Sequence, residues 1–121
     1  MGKLEVSARM TIRRGKLEEF KRQASECIRQ TREMDTKTLR YDWFLNSDET
    51  EGEIREIYES PEGLVEHRMH IDEALDKLFT EFADDHAVSV YGEPSPQLLE
   101  MAKRMPEGSV KWYSFLQGLE S

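Results

Sequence analysis

The groups in this chain with chemistry to offer are two closely spaced histidines, a carboxylate just before them and a set of ring-bearing residues. His67 and His70 stand three apart in LVEHRMHIDEAL, Glu56 lies in EIREIYE, and Tyr41, Trp43 and Tyr58 precede them. An imidazole titrates near neutrality, so His67 suits a general base or a hydrogen-bond donor to a developing phenolate. The plainer alternative is a histidine that caps a strand end or bonds to a carbonyl. If Ile54 and Tyr58 face the helices, Glu56 is drawn into the core, where burial without a partner raises its pKa. A contact with His67 would relieve that cost and orient the ring. The opposite register exposes Glu56 and buries Ile57, and because both faces of EIREIYE are mixed, both registers stay open.

Tyr41, Trp43 and Tyr58 could line a pocket for a flat ligand, or could simply be core. His70 is a candidate contact for the same ligand. Together with His67 and a carboxylate such as Glu66 or Asp72 it could also bind a metal, but H-x-x-H spacing supplies no third ligand, so no metal is expected. His86, beside Asp84 and Asp85, reads as a surface ion pair. Cys27 is the only cysteine and falls on an apolar helical stripe, so it reads as an inert buried thiol. Neither a Gly-rich phosphate loop nor a G-x-S-x-G elbow occurs.

Periodicity supplies the elements that must position these groups. Lys3 to Arg13 alternates as a half-buried strand, and Gly15 breaks it. Leu17, Phe20, Ala24, Cys27, Ile28 and Thr31 then follow helical spacing to about Met34. Thr38 to Asn46 predicts a second strand, with Leu39, Tyr41, Trp43 and Leu45 on one face and Phe44 opposite. SDETEG turns the chain into EIREIYE as a hairpin. Ser60 and Pro61 open a helix whose apolar face (Leu64, His67, Ile71, Ala74, Leu75, Leu78, Phe82) carries a histidine near its start and ends around Asp85. Ala87 to Tyr91 predicts a fourth strand, SPQLLEMAKRM a shorter helix, and VKWYSFLQG either an extra strand or an extended arm.

The order β-α-β-β-α-β is the split plan of a ferredoxin-like α+β domain, with two helices on one face of a four-stranded antiparallel sheet. On the other face Phe44, Ile57 and Tyr91 fall among Ser7, Arg9 and Arg55. A mixed, partly apolar surface of that kind predicts packing against the same face of a second subunit. At 121 residues the chain suits one domain, with a core of about 3–93 followed by a helix and arm over 95–121.

A formal net charge of −8 argues against nucleic acid or an anionic membrane as partner. The apolar runs are too short to span a bilayer, and the alternating N-terminus lacks the block of a secretory signal. With a single cysteine no intrachain disulfide is possible, so a cytoplasmic location is expected.

Four segments, ARMTIRRGKLEEF, TLRYDWF, EIYESPEGLVEH and VYGEPSPQL, give the chain a resemblance to the antibiotic-biosynthesis-monooxygenase family, from the first strand through the fourth. The resemblance implies a homodimeric α+β barrel built from two ferredoxin-like subunits. It also implies an oxidoreductase that oxidises a quinol or related small aromatic molecule with dioxygen, using neither metal nor flavin, in a pocket between sheet and helices. His67 matches a histidine common in the quinol-type members. Haem-degrading members carry an asparagine, a tryptophan and a ligating histidine where this chain has Ala8, His67 and Lys77, so that activity is not expected. The alternatives are a dimeric binding or structural module whose cavity is filled by its own side chains, and an isomerase or degradative enzyme acting on a small oxygenated metabolite.

Overall fold

A computed structural model describes residues 2–120. Strand β1 (Leu4–Ile12) runs through the middle of the sheet, because its alternation puts Leu4, Val6, Ala8, Met10 and Ile12 into the core. Gly15, at φ +79°, takes the left-handed turn that leads into helix α1 (Leu17–Met34). Strands β2 (Thr38–Leu45) and β3 (Glu51–Tyr58) form the expected hairpin. Its loop is closed by Asn46, whose side-chain oxygen accepts from the Thr50 and Glu51 amides. Helix α2 (Pro61–Lys77) follows. Ser60 has the extended backbone of an N-cap, though its hydroxyl makes no capping bond.

The end of α2 departs from expectation. The helix stops at Lys77 and widens into a π-helical turn over Leu78–Phe82, and β4 then starts at Ala83 and runs to Tyr91. Its first four residues, ADDH, hide the strand because a bulge interrupts the alternation. Asp85 sits at φ +58°, and the β1–β4 register shifts by one residue there. The bulge lets Ala83 and His86 share the inner face with Val88 and Val90.

Helix α3 (Pro96–Ala102) is capped by the Ser95 hydroxyl, which accepts from the Leu98 amide at 3.1 Å, and it is shorter than the predicted SPQLLEMAKRM. A fifth strand, β5 (Val110–Tyr113), pairs parallel to β4, so the sheet has five strands in the order β2-β3-β1-β4-β5 where four antiparallel strands were expected. The ferredoxin-like core is unchanged. β5 extends its edge, and residues 114–120 continue as an arm.

Helices α1 and α2 pack antiparallel, with the Gln23 amide donating to the Ala74 carbonyl near one end and His67 meeting the end of α1 near the other. Two apolar clusters result. One joins Met10, Phe20, Cys27, Ile54, Ile71 and Leu78, and the other joins Leu4, Val6, Tyr58, Leu64, Val90 and Leu98. A cavity opens along the seam between them.

Candidate active site

Pairing of β1 with β3 aligns Val6 with Glu56 and Ala8 with Ile54, which settles the register question. Ile54, Glu56 and Tyr58 all face the helices. Burial pushes the Glu56 carboxyl up, against the opposing pull of the nearby His67 and of the Tyr58 hydroxyl, which donates to it. The carboxyl is thereby held nearer to its protonated form than an exposed glutamate.

His67 is brought over this strand by the first turns of α2. At Gly63 the helix approaches so closely that a Cβ would lie 3.0 Å from Lys37 Cβ and 3.2 Å from Tyr58 Cβ. The imidazole is buried between two phenols, with ring centroids 4.5 Å from Tyr41 and 5.4 Å from Tyr58. Its Nδ1 is 2.8 Å from Asp35 Oδ2, in the extended residue that ends α1. Burial alone would raise the Asp35 carboxyl, but hydrogen bonds from His67, His70 and Thr38 outweigh it and hold the pKa at about 2. An ionised carboxylate only accepts, so His67 Nδ1 donates, and in the neutral ring Nε2 carries the lone pair. This is the arrangement of an oriented general base.

Asp35 does the orienting that was expected of Glu56. No hydrogen bond joins Glu56 to His67 among the described residues, although both line one cavity. That cavity has a volume of about 480 Å³. Its polar lining includes Glu56, His67, Tyr41, Arg68 and His86, and its walls are apolar side chains such as Val6, Ile71, Leu98 and Trp112. Tyr41 contributes a buried hydroxyl without a partner among the described residues, and burial pushes its phenol well up. Trp43 and Tyr58 stand behind the lining, Trp43 edge-on to Phe20 and Tyr41, and Tyr58 bonded to Glu56. His70 points away from the cavity, with Nδ1 2.6 Å from Asp35 Oδ1.

His67 and His70, three apart on α2, both direct Nδ1 at the same carboxylate, that of Asp35. A different trio, Asp35, Glu66 and His70, brings its ligand atoms within 4.8 Å of one another. Each of those atoms already has a protein partner, Glu66 accepting from the Thr36 amide and hydroxyl at 2.9 and 2.8 Å. The trio is thus occupied by its own hydrogen bonds.

His86 is not the surface ion pair the sequence suggested. It stacks on Phe79 at 3.9 Å and lines the cavity, and burial together with the Arg68 charge lowers its pKa to about 4. Asp84 pairs with Arg13 instead. Sequence reasoning missed Asp35, Arg68 and His86 as members of the site. The antiparallel helices of the split plan offered one signal for Asp35, since they put the end of α1 beside the first half of α2.

Sheet order and helix placement define a ferredoxin-like α+β fold, shared with solved proteins provisionally named antibiotic biosynthesis monooxygenases. The solved structure of MupZ from Pseudomonas fluorescens superposes with a TM-score of 0.80 at 23% identity, covering 98% of this chain and 94% of that one. A protein from Nitrosomonas europaea provisionally named an antibiotic biosynthesis monooxygenase gives 0.68 at 19%, over 79% and 95% of the two chains. Rv0793 from Mycobacterium tuberculosis gives 0.67 at 23%, over 77% and 96%. Only the match to MupZ, of these three, is long enough to take in most of the extension after β4. No family profile matches the sequence, and no curated protein does. Among the described residues no helix is long and apolar enough to cross a membrane.

Proposed function

We propose that the chain is a cofactor-independent monooxygenase of a small, electron-rich aromatic substrate, of the quinol or anthrone type. The observation that carries this reading is the Asp35–His67 pair at 2.8 Å, which leaves Nε2 as the basic nitrogen of a ring bordering a 480 Å³ cavity. An apolar hollow of this size accommodates a fused-ring molecule and keeps water from its anion.

In this reading His67 Nε2 takes a proton from the substrate, and the resulting anion passes one electron to dioxygen. The two radicals combine into a peroxide anion at the ring carbon, which takes the proton back from His67 to become a hydroperoxide. Loss of the remaining proton from that carbon, with cleavage of the O–O bond, leaves a carbonyl and water. A methylene and O2 thus become a carbonyl and H2O, and the protein supplies only base, acid and enclosure. Oxygen consumption with a panel of quinols and anthrones tests the proposal. Turnover should fall at least about tenfold in His67→Ala. Equal turnover in the variant removes His67 from the mechanism.

One observation favours a second reading. Glu56, raised by burial, is an acid facing the same cavity as an oriented base, and such a pair suits isomerisation or breakdown of an oxygenated metabolite without any oxidant. Turnover that persists under nitrogen selects this reading. We also propose a homodimer formed through the outer sheet face, where Phe44, Ile57 and Tyr91 lie.

A further inference from the structure

Arg68 follows His67 in α2 and lines the same cavity, at its junction with a shallower hollow bordered by Leu75, Phe79 and His86. Its Nε is buried and has no hydrogen-bond partner among the described residues. The acidic side chain it approaches is Asp72, at 3.6 Å, which is beyond hydrogen-bonding distance and mostly in solvent. The guanidinium charge is therefore poorly compensated where it sits.

That charge acts on the site. Burial dominates the shifts of Glu56, Tyr41 and His86; the Arg68 charge opposes it at the two acids, favouring their ionised forms, and reinforces it at His86, opposing protonation of the imidazole. Neutral His86 offers Arg68 no counter-charge. The Arg68 side chain is 29% exposed, but its buried Nε–H costs free energy until an acceptor reaches it, so an orphan donor of this kind marks a place for a ligand oxygen. The chain's net charge of −8 repels anions at long range, so attraction of one to this cavity has to be local. Arg104, exposed beyond α3, adds a second cation to the lining.

We infer that the cavity takes substrates bearing a carboxylate, which pairs with the Arg68 guanidinium while the apolar body lies against Ile71, Leu75 and Trp112 and the reacting end meets His67. A planar fork of N–H groups fits a carboxylate in two-point contact. The inference rests on the proposal that this cavity is the substrate site and adds to it the charge of the substrate.

Binding and turnover are measured separately so that the two ideas can fail independently. Anaerobic calorimetry with the full chain compares 1,4-dihydroxy-2-naphthoate, its methyl ester and 1,4-dihydroxynaphthalene. The acid should bind at least about tenfold more tightly than either neutral molecule. Arg68→Gln should erase that preference, weakening the acid far more than the ester. Asp72→Asn, which removes the competing carboxylate, should widen it. Equal affinity of acid and ester overturns the inference, as does a preference that survives Arg68→Gln. If Arg68→Gln does not fold, the acid–ester comparison in the native chain and the Asp72→Asn result decide. Tight, Arg68-dependent binding of the acid without oxygen uptake leaves the carboxylate site standing and sinks the monooxygenase. Oxidation of the neutral quinol with no preference for the acid does the reverse.

Discussion

Asp35 Oδ2 lies 2.8 Å from His67 Nδ1, across the seam where the end of α1 meets the first half of α2. The carboxylate sits outside the cavity, so its part in chemistry is to fix the tautomer and tilt of the ring. Asp35→Asn keeps the shape and removes the charge. We expect kcat to fall by about 100-fold or more with KM nearly unchanged, since binding surfaces are untouched and only proton transfer suffers. Steady-state kinetics check this. A kcat within about threefold of the native value would mean the ring needs no orienting partner.

Glu56 makes the protein less stable as pH rises. Its folded pKa lies above the ordinary value of 4.5, so the folded chain keeps a proton that the unfolded chain has released. Stability is full below about pH 4.5 and declines as pH climbs through the raised value. Glu56→Gln carries no such proton. Melting temperatures of the two proteins, taken from pH 4 to pH 8, should diverge in favour of the variant as pH increases. Parallel curves would show that the buried carboxyl is not perturbed.

The backbone plan was legible because its signals are local. Strict alternation in β1, the Ser-Pro starts of α2 and α3, and Gly15 after β1 each act within a few residues. The site was only partly legible because its bonds span long stretches of chain. His67 could be singled out by its place on an apolar helical face, but the residue that holds it is 32 positions earlier, in the polar turn Asp35–Thr36. Glu56 could not be assigned a face until its β1 partner was known, since EIREIYE offers two mixed faces. His86 was misplaced for a different reason. A bulge at Asp85 breaks period-two alternation, and without it ADDH has no strand signature.

His86 gives the opposite pH signature to Glu56. Burial, then the Arg68 charge, lowers its folded pKa to about 4 from an ordinary value of 6.5, so the unfolded chain takes up a proton that the folded chain refuses. The stability it contributes is present above pH 6.5 and is lost as pH falls toward 4. His86→Phe keeps an aromatic ring against Phe79 and abolishes the titration. Its melting temperature should fall less steeply than that of the native protein between pH 6.5 and 4. An NMR titration of the His86 ring with a midpoint near 6.5 would refute the assignment.

The outer sheet face should hold two subunits together. Register places Ile57, Glu5 and Tyr91 in one row across β3, β1 and β4, and Tyr91 stacks on Tyr113 of β5 with centroids 5.1 Å apart. Phe44 is 48% exposed on the same face, an apolar ring that a second copy would cover. Ile57→Glu puts a carboxylate at the β3 end of this row, directly opposite Glu5, where a two-fold interface would desolvate both. Because Ile57 points away from the helices, the inner core is untouched and the variant should keep its circular dichroism spectrum. Light scattering on a sizing column should give twice the chain mass for the native protein and the single chain mass for Ile57→Glu. A native protein that elutes as a monomer, or a variant that still pairs, would remove this face as the interface.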